Sequence, residues 1–231
     1  MKALAESTLE LPTIQATSSE TEGLPREELR MTLDSLLSEN KILREELHEL
    51  KAFRALAYRD PLTSLWNRRY FDERLNEEIS RARRKLDYTF SVILVDVNDL
   101  KVVNDGEGHA AGDELLRWVS RFLQSTTRGH DLVCRLGGDE FGLILPDCNA
   151  VQAHTVEQRF RDALVEANKH RTSPVGMSLG TASCPDTGLL AEALVRSADV
   201  AMYADKRRQK AGRSMMAMSE IPGAYSNQHS G

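Results

Sequence analysis

The sequence predicts a mixed α/β (α+β) domain, a central sheet covered by helices, preceded by a single long stalk helix. Three observations predict it. A seven-residue leucine repeat runs from Leu29 to Ala57. After Tyr58 the pattern changes to short apolar runs separated by segments of helical period. Two of those runs, LVCRL and FGLILP, are joined by a glycine-rich turn, GGDE, as in a β-hairpin. Strands alternating with helices, with one tight hairpin, indicate one sheet with helices packed on it.

Taken in order, residues 1–25 are rich in Ser, Thr and Glu, carry Pro12 and Pro25, and are expected to be a flexible segment. The stretch 26–57 is expected to be a coiled-coil stalk. Leu29, Leu36, Leu43, Leu50 and Ala57 form one heptad row, d, and Leu33, Asn40, Leu47 and Arg54 form the other, a. A lone Asn at an a position fixes register in parallel two-stranded coils. Glu39 and Glu46 fall at g, Arg44 and Lys51 at e, so Glu39 faces Arg44 and Glu46 faces Lys51 of a parallel second chain. Such exposed pairs contribute only ~0.2–1 kcal/mol each, but they favour in-register pairing. The plainer alternative is an amphipathic helix packed on its own domain, which Leu37 at an e position supports. The repeat favours a homodimer through residues 29–57.

The catalytic-size domain is expected over 58–214, with a flexible tail at 215–231. DPLTSLWNRRYFDERLNEEISRARRKL opens on a proline turn and continues as a helix. FSVILVDV is a buried strand, and residues from about Gly112 to Ser125 are helical. The hairpin follows, then a helix over 151–169, a strand in VGMSLGTASC, and a helix from Leu189 to about Lys210.

Composition narrows the function. A net charge of −5 leaves no basic excess for a nucleic-acid or anionic-lipid partner, so any phosphate chemistry needs locally placed cations. Cys134, Cys148 and Cys184 form no metal-binding or disulfide spacing and are expected to be buried thiols in a reducing compartment. No apolar run approaches a membrane span, and the N-terminus lacks the apolar core of a secretory signal, so the chain is expected to be cytoplasmic.

Candidate chemistry lies at two places. Asp96 ends the FSVILVDV strand beside a polar segment, VNDLKVVNDGEGHAAGD, where oxygen ligands for a hard cation are commonly held. The hairpin tip sets Asp139 and Glu140 after Gly137 and Gly138, which let a backbone approach a bulky anion. If the two lie side by side, three carboxylates converge at a site open to phosphate, an arrangement for metal-assisted nucleotidyl transfer. By themselves, two glycines and two acids are more often a solvated turn, and a strand-end Asp more often a cap.

RLGGDEFGLIL resembles the signature of the GGDEF-domain diguanylate cyclases. DPLTSLWNRRYF resembles their opening motif, DVNDLKVVNDGEGHAAGDELL their metal- and guanine-binding segment, and ADVAMYADK their C-terminal helix, all in family order over about residues 58–210. The resemblance implies a nucleotidyl-cyclase-like palm fold and condensation of two GTP to cyclic di-GMP and two pyrophosphates across a homodimer. It implies Mg²⁺, or Mn²⁺ in its place, bound by the Asp96 carboxylate, the Val97 carbonyl and the Asp139 carboxylate. Asp139 and Glu140 would be catalytic. Asn104 and Asp113 would read the guanine edge, and His109 would sit near the sugar. Lys101, Lys206, Gly137 and Gly138 would meet the phosphates. A carboxylate accepts from guanine N1–H and N2–H₂, which adenine does not offer together, and buried groups left unpaired by the wrong base discriminate well.

Arg128 and Asp131 form R-x-x-D five residues before Gly137, the spacing of the family's product site, which implies feedback inhibition by cyclic di-GMP; the plainer alternative is a surface ion pair. Three departures from the family pattern stand out. Asn98 replaces a frequent second Asp, Asp99 and Leu100 replace a frequent aromatic pair, and RRQKAGR leaves Lys210 or Arg213 as the last phosphate contact. With no recognisable sensor domain ahead of the stalk, a regulatory protein is expected to act on the N-terminal segment or stalk. The alternatives are an inactive cyclic di-GMP receptor and a scaffold built around the stalk.

Overall fold

A computed structural model describes residues 26–219; the predicted flexible segment 1–25 and residues 220–231 lie outside the described residues. The chain divides into two compact units between Arg54 and Ala55. Most of the first is helix α1 (Arg26–Tyr58), which has no break along 33 residues. The d and a leucines of α1, from Leu29 to Leu50, stay 48–60% exposed on the single chain.

The second unit is a five-stranded sheet in the order β1-β3-β4-β2-β5, built from β1 (Trp66–Asn67), β2 (Phe90–Val97), β3 (Leu132–Gly137), β4 (Glu140–Pro146) and β5 (Met177–Cys184). Its helices are α2 (Arg68–Arg84), α3 (Leu100–Glu107), α4 (His109–Thr126), α5 (Ala150–Asn168) and α6 (Ala191–Ser219). β2 pairs antiparallel with β4 on one side and β5 on the other, and all eight of its residues are buried. A strand covered on both faces needs no polar alternation, which is why FSVILVDV reads as a continuous apolar run. Ile93, Val95 and Val97 point toward α4 and α5, where Val119, Leu123 and Phe160 close one core. Val92 and Leu94 point the other way, against Phe71, Leu75 and Ile79 of α2 and Leu194, Ala198 and Met202 of α6. Full burial of each such side chain contributes about 1.5–3 kcal/mol.

Helix α6 lies directly on β5 at Gly180. A Cβ there would come 2.1 Å from the Ala198 carbonyl oxygen and 2.2 Å from the Met202 nitrogen, so only glycine admits this approach. α6 runs on to Ser219, past its predicted end near Lys210, and takes in the first residues of the predicted tail at 215–231. The segment after Asp96, expected to be a polar turn, is helical: Asp99 (φ 63°) opens α3, and Gly108 (φ 86°) separates it from α4, which begins at His109 and not near Gly112. Only Leu100 and Val103 of α3 pack on the core, an i,i+3 pair too short to announce a helix in the sequence. The two-residue β1, hidden inside the opening motif, was also not predicted; it pairs parallel with β3 at Cys134 and Arg135.

Candidate active site

The hairpin tip is held from three sides. Gly137 (φ 144°) and Gly138 (φ 53°) carry the chain through the turn, in backbone regions that L side chains rarely adopt. The Arg135 guanidinium donates to the Gly138 carbonyl at 2.8 and 3.2 Å, and to both carboxylate oxygens of Asp60 at 3.2 Å. Arg68, in the first turn of α2, donates to the Leu136 carbonyl at 3.0 Å and pairs with Glu140 at 3.3 Å. The Val97 amide donates to the Asp139 carbonyl at 3.0 Å, which seats the tip against the end of β2. Asp96 and Glu140 are partners across the β2–β4 ladder, so their side chains leave the same face of the sheet.

Asp96 is nearly buried, and both of its oxygens accept from the Lys206 ammonium, at 2.7 and 2.9 Å. Burial works against the charge on Lys206. The hydrogen bond to Asp96 and the fields of Asp96, Asp139 and Asp99 outweigh it and hold the ammonium above its ordinary pKa. Asp96, Asp139 and Glu140 thus share one end of the sheet, but they do not close into one ligand cluster. Among the described residues no three His, Cys, Asp or Glu side chains are gathered so as to hold a metal. Lys206 neutralises Asp96, and Arg68 pairs with Glu140. The donor set still fits a hard divalent ion. Mg²⁺ takes one or two carboxylates and completes its shell with phosphate oxygens, and Asp96 already grips a cation with both oxygens.

The helical segment beside this end carries the other candidates. Asn104 on α3 and Asp113 on α4 are both half-buried. The Asn104 side chain occupies the space that a Cβ on Gly112 would fill, 1.9 Å from its Oδ1, so glycine at 112 is what lets Asn104 lie against the turn bearing Asp113. His109 opens α4 and Lys101 lies in the first turn of α3, both exposed. Leu100, at one of the departures from the family pattern, packs inward against the core. Lys210 is exposed on α6, and the side chain of Arg213 lies outside the described residues.

Arg128 and Asp131 lie at the far end of β3 from the tip, roughly 20 Å along the strand. No ion pair joins their side chains among the described residues. Instead Asp131 accepts from the Arg128 backbone amide at 2.8 Å and closes the turn, leaving the Arg128 guanidinium exposed.

Four residues that hold the site were given no role from the sequence: Asp60, Arg68, Arg135 and Gln209. The first three lie inside the quoted motifs, so their letters were visible but their partners, 68 to 75 residues distant, were not. Gln209 donates to the Met177 carbonyl and accepts from Asn98 across 111 residues, and no local pattern announces it.

The family model described as "Diguanylate cyclase, GGDEF domain" matches residues 57–212. The probable diguanylate cyclase DgcE of Escherichia coli is 34% identical over 174 residues, covering 71% of this chain; the chain spans only 15% of the length of DgcE. Among solved structures, the diguanylate cyclase SiaD of Pseudomonas aeruginosa, in complex with its activator SiaC, superposes with a TM-score of 0.64 at 32% identity, over 79% of this chain and 70% of that one. The coiled coil and GGDEF domain of DgcB from Caulobacter crescentus, in complex with c-di-GMP, gives a TM-score of 0.63 at 28% identity, over 78% of this chain and 94% of that one.

Proposed function

The chain belongs to the GGDEF domain family of diguanylate cyclases, and from that premise we propose that it condenses two molecules of GTP into cyclic di-GMP as a homodimer. The observation that carries the proposal is the seating of the hairpin tip on the end of β2, with Asp139 beside Val97 and Asp96 on the shared face. In each half-reaction the 3′-oxygen of one nucleotide forms a bond to the α-phosphorus of the other. The bond from that phosphorus to pyrophosphate breaks, and the 3′-hydroxyl proton is released. Two such steps give one cyclic di-GMP and two pyrophosphates.

Asn104 and Asp113 hold the guanine edge, and His109 borders the sugar. Lys101 and Lys206 neutralise phosphate, and the Gly137–Gly138 backbone gives it room to approach. A Mg²⁺ ion, or Mn²⁺ in its place, would be held by Asp96, the Val97 carbonyl and Asp139, and would supply charge neutralisation at the phosphoryl group. Asp139 takes part in activating the 3′-hydroxyl, with Glu140 next to it at the hairpin tip. Each domain holds one nucleotide, so pairing through residues 29–57 supplies proximity and in-line orientation. The solved DgcB fragment likewise joins a coiled coil to its GGDEF domain.

We further propose that cyclic di-GMP binds back at the exposed Arg128, where a guanidinium suits guanine O6 and N7, with Asp131 shaping the turn. A regulatory protein is proposed to act on the N-terminal segment or stalk; SiaD, a relative by structure, is solved in complex with an activator, SiaC. The second reading is a receptor without turnover that binds cyclic di-GMP at the exposed Arg128.

The test is incubation of the protein with GTP and Mg²⁺, with chromatographic detection of product, beside Asp139→Ala. Cyclic di-GMP from the wild type and a loss of at least about a hundredfold in the variant are expected. Binding of cyclic di-GMP with no turnover, even with cell lysate added to supply an activator, selects the receptor.

A further inference from the structure

Behind Lys206 the inner face of α6 carries a second set of polar side chains that no part of the proposed reaction uses. Asp205 is buried, and its Oδ2 accepts from the Leu179 amide at 3.0 Å, from Arg161 at 3.0 Å and from Gln209 at 2.9 Å. The Gln209 Nε2 also donates to the Met177 carbonyl at 2.9 Å, and its Oε1 accepts from the Asn98 amide group at 2.9 Å. Asn98, itself buried, accepts at Oδ1 from the Ser178 hydroxyl at 2.9 Å. Both N–H groups of Gln209 thus have acceptors, and its carbonyl has a donor.

This arrangement requires an amide at position 98. A carboxylate there would turn a third acceptor toward the Gln209 carbonyl oxygen. Rotating the Gln209 amide would repair that contact only by aiming its oxygen at Asp205 and the Met177 carbonyl. Buried polar groups that are fully satisfied fix geometry, and partly satisfied ones cost the desolvation of the orphan. The departure from the family pattern at Asn98 therefore goes with Gln209, far along the chain.

Asp96 is the penultimate residue of β2 and Asn98 follows the strand directly, while Lys206 and Gln209 are three apart on α6 and share one side of the helix. They form two cross-links between the end of β2 and α6: Asp96 to Lys206 and Asn98 to Gln209. The first is built of groups assigned to metal and phosphate, so it opens when nucleotide enters. The second has no such assignment.

We propose that Asn98 and Gln209 are a positioning pair that fixes the rotation of α6, so that Lys206 passes from Asp96 to the substrate phosphates while the helix stays in place. The proposal rests on the cyclase reading, because it takes a nucleoside triphosphate as the ligand of Lys206. Neither residue touches substrate; both act through Lys206.

The experiment is calorimetric titration of the full chain with Mg²⁺ and a GTP analogue carrying a methylene between the α- and β-phosphates. It compares Gln209→Ala, Asn98→Asp and Lys206→Ala, and each of the first two combined with the third. Thermal midpoints show which variants are folded, and Asn98→Asp, which keeps side-chain size, decides if Gln209→Ala does not fold. Gln209→Ala and Asn98→Asp should each weaken binding about fivefold in the native background and have no further effect once Lys206 is removed. Binding unchanged in both, or weakened equally with and without Lys206, overturns the pair's role while leaving the nucleotide site intact. A native chain that fails to bind the analogue rejects the cyclase reading itself, and the positioning role falls with it.

Discussion

Arg135 joins two parts of the sequence 75 residues apart, and its five donors explain why no other side chain would serve. One edge of the guanidinium holds the Gly138 carbonyl at the hairpin tip, and the other holds Asp60. Lysine, a point charge on a flexible stem, cannot reproduce that fork. Burial pushes the Asp60 carboxyl up, but hydrogen bonds from the Thr63 hydroxyl and amide, with the Arg135 guanidinium, outweigh it and hold the group below its ordinary value. A carboxylate lowered in the folded state contributes stability above its unfolded pKa of about 4 and loses it as pH falls through the folded value. Both side chains are largely buried, 12% and 16% exposed. Arg135→Ala is therefore expected to cost about 2–3 kcal/mol in urea unfolding at pH 7. That deficit should shrink as pH falls below the ordinary carboxylate range and through the folded value, where Asp60 takes up its proton in the native chain as well. A deficit that stays constant over that range would assign the effect to the Gly138 contact alone.

At the scale of elements, the catalytic end depends on how closely α6 approaches the sheet. At Gly180 the neighbours a new Cβ would strike are backbone atoms of α6, which cannot swing aside as a flexible side chain can. Gly180→Ala should lift the helix that carries Lys206, cost about 1–3 kcal/mol and lower cyclase activity by more than its loss of stability explains. Gly212→Ala, on the same helix with nothing within 4 Å, should be neutral or stabilising by up to about 1 kcal/mol. Equal effects of the two substitutions in thermal unfolding would remove the close approach as a determinant. The contrast marks how far the sequence is legible. β2 and the β3–β4 hairpin announce themselves because burial and turn chemistry are local: an unbroken apolar run, and two glycines in left-handed or otherwise restricted backbone. The letters of the site, from Asp96 to Lys206, were legible as motifs. The α3 helix escapes a sequence reading because it is eight residues long and only Leu100 and Val103 pack on the core, too few to establish a helical period. The α6 contact at Gly180 and the Asn98–Gln209 link were invisible because each depends on residues brought together only by the sheet order.

For the whole molecule, the unsatisfied surface is the leucine stripe of α1. Leu29, Leu33, Leu36, Leu43, Leu47 and Leu50 each remain 48–60% exposed on one chain. A contiguous apolar stripe of this length calls for a partner surface. In the proposed dimer, heptad spacing with Asn40 at an a position would pair this stripe with that of a parallel second copy. Charges at two d positions, Leu36→Glu with Leu43→Glu, would stand opposite like charges in the dimer but in water on a single chain. They should convert the full chain to a monomer in sedimentation. The unfolding transition of the second compact unit should be unchanged, since both leucines belong to the first. If two domains must face each other for each bond formed, activity at low protein concentration should fall by about a hundredfold, the effective-concentration advantage of a tether being lost. It should recover steeply as concentration rises and domains meet by diffusion. A dimer that survives the substitutions would move the assembly contact off the stalk, and a monomer with undiminished turnover would contradict chemistry across two chains.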